Sequence, residues 1–140
     1  MPDTYTLVIK SKDRVSGDAN DYVINVGNFF NNITQYEKFV GTLKEAIIHK
    51  AAGVGQGYLE VQVDWSLPFQ YETNNSGLPS VGMVGQTQAN TASLYTSGRN
   101  FIFMRPHGSH MRIKMVRYDT EDDAAGLSDH CLVFEITPLE

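Results

Sequence analysis

Two histidines, His107 and His110, are the first residues whose type and spacing could support chemistry. Imidazole nitrogens bind zinc and related metals, but such a site needs three or four protein ligands. The sequence after His110 continues with Met-Arg-Ile-Lys and offers no third ligand beside the pair. The spacing therefore predicts two surface imidazoles that flank a turn, and no metal centre.

Three other constellations resemble functional motifs but lack a required part. The glycine-rich run Gly53–Gly57 does not end in Gly-Lys-Ser/Thr and leads into a strand, so it is not a phosphate loop. The acidic segment Asp119–Gly126 has carboxylates suited to calcium but neither the loop spacing nor the distal glutamate of a calcium loop. His130 and Cys131 are neighbours in a predicted strand, so they point to opposite faces and form no dyad. We predict a protein that is not an enzyme and that uses no cofactor.

Composition predicts the general class of the protein. A chain of 140 residues forms one domain, and its net charge of −5 argues against direct nucleic-acid binding. The single cysteine, Cys131, excludes an internal disulfide framework and fits a reducing compartment. No apolar run reaches the roughly 20 residues that a membrane helix needs, and the N-terminus lacks a signal-peptide pattern. We therefore expect synthesis in the cytoplasm and no membrane span.

The stretch Tyr58–Phe69 is the element around which the other strands are expected to pack. Six apolar residues occupy every second position from Leu59 to Phe69, with polar residues or proline between them. This alternation predicts a strand with one buried and one solvated face, at the centre of a sheet. Pro68 cannot donate a ladder hydrogen bond, so regular pairing should end near it.

Alternation and turn residues predict the other strands. They are Tyr5–Lys10, Tyr22–Val26, Lys38–His49, Ser80–Val84, Ala92–Tyr95, Asn100–Arg105, Met111–Tyr118 and His130–Leu139. Ser80–Val84 and Ala92–Tyr95 are short pieces inside a polar insertion, residues 70–98, a length typical of functional loops. Pro106–His110 has hairpin chemistry, and Ser11–Asn20 is predicted to be a polar connector.

The segment Thr34–Lys50 fits two structures. Thr34 and Glu37 form a capping box and precede a helical stripe of apolar residues. The same residues also place Phe39, Leu43 and Ile47 on one strand face, and Gly41 weakens a helix. Because the context is rich in strands, we predict a turn followed by the strand Lys38–His49. About eight strands in one domain, residues 1–140, indicate an antiparallel β-sandwich.

The segment Tyr5–Val26 resembles the opening of single jelly-roll capsid proteins of large eukaryotic DNA viruses, virophages and polinton-like viruses. Ser11, Asp13, Arg14, Ser16 and Gly17 match the Ser-x-Asp-Arg-x-Ser-Gly motif, and Tyr22 occupies its aromatic position. The chain end is also similar, with an Arg-Pro-x-Gly-Ser segment from Arg105 and a last strand reading Val-Phe-Glu-Ile-Thr-Pro-Leu. The likeness covers about a third of the chain, at its two ends.

The resemblance implies an eight-stranded single jelly roll that acts as a penton or minor capsid protein in the virion. Its partners would be other copies of itself, as a pentamer, and the major and other capsid proteins. An arginine fork can pair with a carboxylate across a subunit boundary. The predicted interface residues are Asp13, Arg14, Ser16, Arg99 and Arg105. The alternative is that the motif holds only its own loop.

Two other functions are compatible with a β-sandwich. The first is a binding module for a glycan or receptor, in which exposed rings stack on sugar faces and amides bind hydroxyls. Its candidate residues are Tyr71, Asn74, Asn75, Gln88 and Tyr95. The second is a metal-dependent jelly-roll enzyme similar to the cupins. Those have a His-x-His pair followed by a glutamate, which the His-x-x-His of this chain does not match.

Overall fold

The computed structural model describes residues 3–48, 58–73, 78–85, 99–117 and 129–139. These ranges contain nine β-strands, a 3-10 turn at Ser11–Asp13 and a one-turn helix, α1, at Gly27–Phe30. The strands are β1 (Tyr5–Lys10), β2 (Ser16–Asp18), β3 (Asp21–Asn25), β4 (Lys38–Ile48), β5 (Tyr58–Val63), β6 (Ser80–Gly85), β7 (Asn100–Met104), β8 (His110–Arg117) and β9 (His130–Leu139). No helix in these ranges is long and apolar enough to cross a bilayer.

All strand pairs are antiparallel, and they form two sheets. One sheet has the order β1-β9-β4-β7 and the other the order β2-β3-β8-β5-β6. Four of the pairs are nested along the chain: β5 with β6, β4 with β7, β3 with β8, and β1 with β9. Such a nested ribbon, folded over so that β9 meets β4 and β8 meets β5, is a jelly roll. The predicted eight-stranded single jelly roll is confirmed, with the short β2 added beside β3.

The core between the sheets is rich in aromatic rings. Trp65 stacks on Phe103 with ring centroids 4.3 Å apart, and Phe103 stacks on Phe39 at 5.3 Å. Phe30, from α1, meets Phe39, Trp65 and Phe103 edge to face. Because each such ring buries a large apolar area, this cluster stabilises the contact between the sheets where α1 closes one end.

The central stretch is an interior strand, but it ends earlier than its alternation predicted. Pairing of β5 stops at Val63, and the chain still directs Trp65 and Leu67 into the core. Phe69 leaves the pattern after Pro68 and is 66% exposed. The prediction of a solvated outer face is also wrong at Gln62, which is fully buried. Its neighbour across the strands is Ser80, whose carbonyl is covered by donors from the Gln70 and Arg99 side chains.

The ambiguous segment is a strand, so the helical alternative is wrong. β4 pairs with β7 on one side and with β9 on the other. Gly41 fits this position because a Cβ there would lie 2.7 Å from the ring of Phe101. A register shift between Leu43 and Glu45 changes which side chains face inward. Ala46 is therefore buried and Ile47 is exposed, opposite to the predicted faces.

Two other predicted features differ in the structure. Residues 106–109 do not form a hairpin, because β7 and β8 lie in different sheets and the connection crosses between them. The connector Ser11–Asn20 contains the 3-10 turn and β2. β9 continues to Leu139 through Pro138, which pairs with β4 only, since the pairing with β1 ends at Ile136. Ser80–Val84 lies in β6 as predicted, whereas Ala92–Tyr95, Gly53–Gly57 and Asp119–Gly126 lie outside the described residues.

Candidate functional site

The motif turn, Ser11–Gly17, connects β1 to β2 and is held by the guanidinium of Arg14. Arg14 donates to the carbonyls of Ser11 and Gly17, at 2.9 and 3.1 Å. It also forms an ion pair with Asp129, with Nη1 and Oδ1 2.7 Å apart. All these acceptors belong to the same chain, so the arginine fixes the turn against the residue before β9.

Ser11 is the buried member of the motif and completes the connection to β9. Its hydroxyl donates to Asp129 Oδ1 at 3.0 Å and accepts from the backbone N–H of His130 at 2.8 Å. These hydrogen bonds from Ser11 and Arg14 hold the pKa of the Asp129 carboxyl below its usual value of 3.8. The motif therefore positions the start of β9.

Gly17 is required by the geometry of the turn. Its φ is +92°, and a Cβ would lie 2.2 Å from the carbonyl oxygen of Asp21. An L-residue with a side chain cannot occupy that position without moving β3. The remaining motif residues, Asp13 and Ser16, are exposed.

Arg105 lies at the opposite end of the sandwich and also binds backbone within the chain. Its guanidinium donates to the carbonyls of Phe30, the last residue of α1, and of Ile33 and Tyr36 after it, with 2.8 Å to Phe30. It lies 5.5 Å above the Phe39 ring, and its side chain is 18% exposed. This residue therefore closes the α1 end of the core.

The predicted interface residues do not form one surface in the structure. Arg14 lies near the start of β9, Arg105 lies near α1, and Arg99 donates to the Ser80 carbonyl of β6 at 2.6 Å. A subunit contact at Asp13 and Ser16 stays a prediction. The contacts of Ser11 and Arg14 in this motif lie within the chain and hold its first turn.

The predicted receptor residues are only partly described. The side chain of Tyr71 is 92% exposed. It lies in the connection that enters β6 at Ser80, whereas the next connection leaves β6 at Gly85, roughly 17 Å away along the strand. The other predicted residues lie outside the described ranges: Asn74, Asn75, Gln88 and Tyr95. A receptor or partner role for this set of residues stays a prediction.

The two histidines border a cleft of about 360 Å³ beside Trp65. Glu37, Asp64, His107 and His110 all contribute to its walls. The described residues contain no group of three or more His, Cys, Asp or Glu side chains arranged to hold a metal ion. His130 is buried and Cys131 is half-buried on the outer face, as their alternation predicted.

Exposed apolar residues are the surface feature that the sequence analysis missed. Phe69 was expected inside, and Ile47 was expected on the buried face of its strand. Val8 is 47% exposed on the outer face of β1. Pro68 was a usable signal for Phe69, because it marks where the strand pattern stops.

No protein-family model matches the chain, and no curated protein matches it. Among solved structures, it is similar to a chain of the virus-like particle of extra small virus from the giant freshwater prawn Macrobrachium rosenbergii. That alignment has 17% identity, a TM-score of 0.34, and covers 99% of this chain and 80% of the other.

Two further solved structures are similar at lower scores. The IMPa metallopeptidase in complex with T-antigen aligns at 10% identity and a TM-score of 0.30, over 97% of this chain and 13% of that one. A chain from the structure of nora virus aligns at 15% identity and a TM-score of 0.26, over 96% of this chain and 56% of that one. Superpositions at such TM-scores do not establish kinship.

Proposed function

We propose that this protein is a structural subunit of a viral capsid. The observation that carries the proposal is the motif Ser-x-Asp-Arg-x-Ser-Gly found in the first turn of a jelly roll. Ser11 and Arg14 of that motif tie the turn to β9, and Gly17 has a positive φ in a place where a Cβ would meet the Asp21 carbonyl. The sequence resemblance and the fold thus point to the same class of protein.

The polar groups in the sandwich suit a rigid building block. Three arginines, Arg14, Arg105 and Arg112, bind backbone carbonyls or carboxylates of the same chain. Arg112 makes a two-pronged pair with Asp21, at 2.9 and 2.8 Å, which lowers the pKa of that carboxyl. A subunit fixed in this way can present constant surfaces to its neighbours.

Within a capsid, we assign the chain to the vertices as a penton subunit. A single jelly-roll domain fits a subunit that closes into a pentamer. Its partners would be identical copies and the major and other capsid proteins, within the virion, after synthesis in the host cytoplasm. The net charge of −5 does not favour direct contact with the genome.

The test is the solution mass of the purified chain, measured by light scattering over a series of concentrations and salt levels. Negative-stain electron microscopy of the same samples would show whether rings form. A discrete pentamer supports the penton role. A monomer of 15.6 kDa at every concentration, with no ring in the images, contradicts it.

A second candidate function is carbohydrate binding, and the exposure of Tyr71 and Phe69 favours it. Aromatic faces stack on sugar rings, and the neighbouring Gln70 and Glu72 have the polar groups that bind hydroxyls. A glycan array probed with the wild type and with Tyr71→Ala tests this function. Binding that the substitution abolishes supports it, and a blank array contradicts it.

A further inference from the structure

The exposed large hydrophobic side chains fall mainly into two groups at opposite ends of the sandwich. Phe69 and Tyr71, the aromatic patch, are 66% and 92% exposed. Val8 and Ile47 are 47% and 46% exposed on the outer face of the four-stranded sheet. Lys38, whose ammonium lies 5.7 Å from the Phe69 ring centroid, precedes Ile47 by nine residues of β4. The two groups are therefore roughly 30 Å apart.

The group formed by Val8 and Ile47 continues onto neighbouring residues of β9. Val8 lies opposite Val133, and Ile47 lies opposite Cys131. We call these four residues the aliphatic patch. Beside it is a shallow depression of about 260 Å³, whose walls include Ile47, Cys131 and Lys10. An aromatic side chain can enter a depression of this size without a change in the backbone.

The charges around the two patches are complementary. The depression is lined by Lys10, Lys12 and Asp129, and the Asp129 carboxylate is already paired with Arg14. Tyr71 is followed directly by Glu72, an exposed residue whose carboxylate accepts from the Gln70 side chain and the Ser80 backbone N–H. Glu45 lies opposite Val133 and borders the aliphatic patch, and Lys38 borders the aromatic patch. Each patch thus has one positive and one negative flank, and the two can pair with opposite signs.

We propose that the aromatic patch of one copy docks on the aliphatic patch and depression of the next copy. The proposal rests on the capsid role and names the subunit contact for it. Because the two patches differ and lie at separate ends, the contact is head-to-tail, and repeated head-to-tail contacts close into a ring when the rotation permits. Two different patches do not suit a symmetric dimer, in which the same surface meets itself.

Cys131 provides a direct test because it is the only cysteine of the chain and lines the depression. In Tyr71→Cys, the docked arrangement places the new thiol beside Cys131 of the neighbouring copy, while Phe69 remains to hold the contact. Burial raises the pKa of the Cys131 thiol, so mild oxidation should be run at alkaline pH, where more of the reactive thiolate forms. We expect a ladder of cross-linked multimers on a non-reducing gel.

Peptide mass spectrometry should find a disulfide that joins positions 71 and 131. Tyr71→Cys combined with Cys131→Ser should lose the ladder. Val15→Cys is the matched control, because Val15 is 60% exposed but lies on the β2 side of the molecule. A ladder of equal strength in this control, or disulfides that join only position 71 to 71 or 131 to 131, would overturn the proposal.

A charge substitution gives an independent measurement without cysteine chemistry. Ile47→Asp should abolish the multimer at concentrations where the wild type is assembled, whereas Val15→Asp should leave the mass unchanged. Circular dichroism verifies that both variants fold. A wild type that forms a discrete multimer unaffected by Ile47→Asp overturns the docking proposal but leaves the capsid role standing. A wild type that stays monomeric, together with a Tyr71→Cys variant that forms no 71–131 disulfide, counts against both, even if Tyr71 binds glycans.

Discussion

The phenol oxygen of Tyr22 and Nε2 of His130 lie 2.9 Å apart between the two sheets and share a hydrogen bond. Tyr22 belongs to β3 of the five-stranded sheet, and His130 is the first residue of β9 in the other sheet. The backbone N–H of His130 is bound from the other direction by Ser11. The start of β9 is therefore fixed both to the opposite sheet and to the motif turn.

The buried Tyr22 makes the free energy of unfolding depend on pH in the alkaline range. Burial is the main cause that raises the pKa of Tyr22 above its ordinary value of 10.0. Above that value, the unfolded chain releases a proton that the folded chain retains, so the free energy of unfolding falls as the pH rises. Tyr22→Phe removes this group. We expect its stability to decline less steeply between about pH 10 and pH 11, by up to roughly 1.4 kcal/mol per pH unit.

Urea unfolding of wild type and Tyr22→Phe at several pH values measures this difference. The comparison at neutral pH gives the cost of losing the hydrogen bond alone, which is independent of the titration. Parallel pH profiles for the two proteins would contradict the prediction.

Ser11 should matter to the folding of a single chain more than the other motif serine does. Ser11→Ala leaves the N–H of His130 without its acceptor in a buried place, and we expect a loss of about 1–3 kcal/mol in the free energy of unfolding. Ser16 is exposed, so Ser16→Ala should change stability by no more than about 0.5 kcal/mol. If Ser11→Ala and Ser16→Ala are equally stable in urea, the motif does not stabilise the chain through the Ser11 hydrogen bonds of this turn.

A comparison of Gly17 with Gly108 separates the energetic cost of a steric clash from the cost of a positive φ angle. Their φ angles are +92° and +91°, but a Cβ would meet the Asp21 carbonyl at 2.2 Å in the first case and nothing within 4 Å in the second. Gly108→Ala should therefore cost only the conformational term, about 1–2 kcal/mol. Gly17→Ala should cost clearly more, and thermal unfolding of the two variants measures the difference. A Gly17→Ala variant as stable as Gly108→Ala would mean that β3 yields easily.

Local patterns predicted most of the strands because a strand's alternation is set by its own residues and one buried face. Lys38–His49 was an exception, because its own residues also fit a helix and the strand was preferred only for the strand-rich sequence around it. The β4 bulge was not visible, since a register shift depends on how β4 fits β9 and not on β4 alone. It reversed the faces of Ala46 and Ile47, and with them one exposed patch.

The pairing between distant strands could not be predicted from the sequence, for a related reason. β7 and β8 have a turn between them that suits a hairpin, but each finds a better partner in a different sheet. The choice between a hairpin and a crossover is made by strands far along the chain. The contacts of Arg105 with backbone carbonyls about seventy residues before it were likewise not visible in the sequence.

Arg105 should be far more important for stability than a typical surface arginine. Lysine keeps the charge but cannot offer a planar fork to three carbonyls, so Arg105→Lys leaves acceptors after α1 without their donor. We expect a loss of about 2–4 kcal/mol. Arg112→Lys is the matched control: its pair with Asp21 is equally well formed, but both side chains are 30% or more exposed, and it should cost no more than about 1 kcal/mol. Urea unfolding compares the two, and a smaller loss for Arg105→Lys than for Arg112→Lys would mean that the turn after α1 is held by the aromatic core alone.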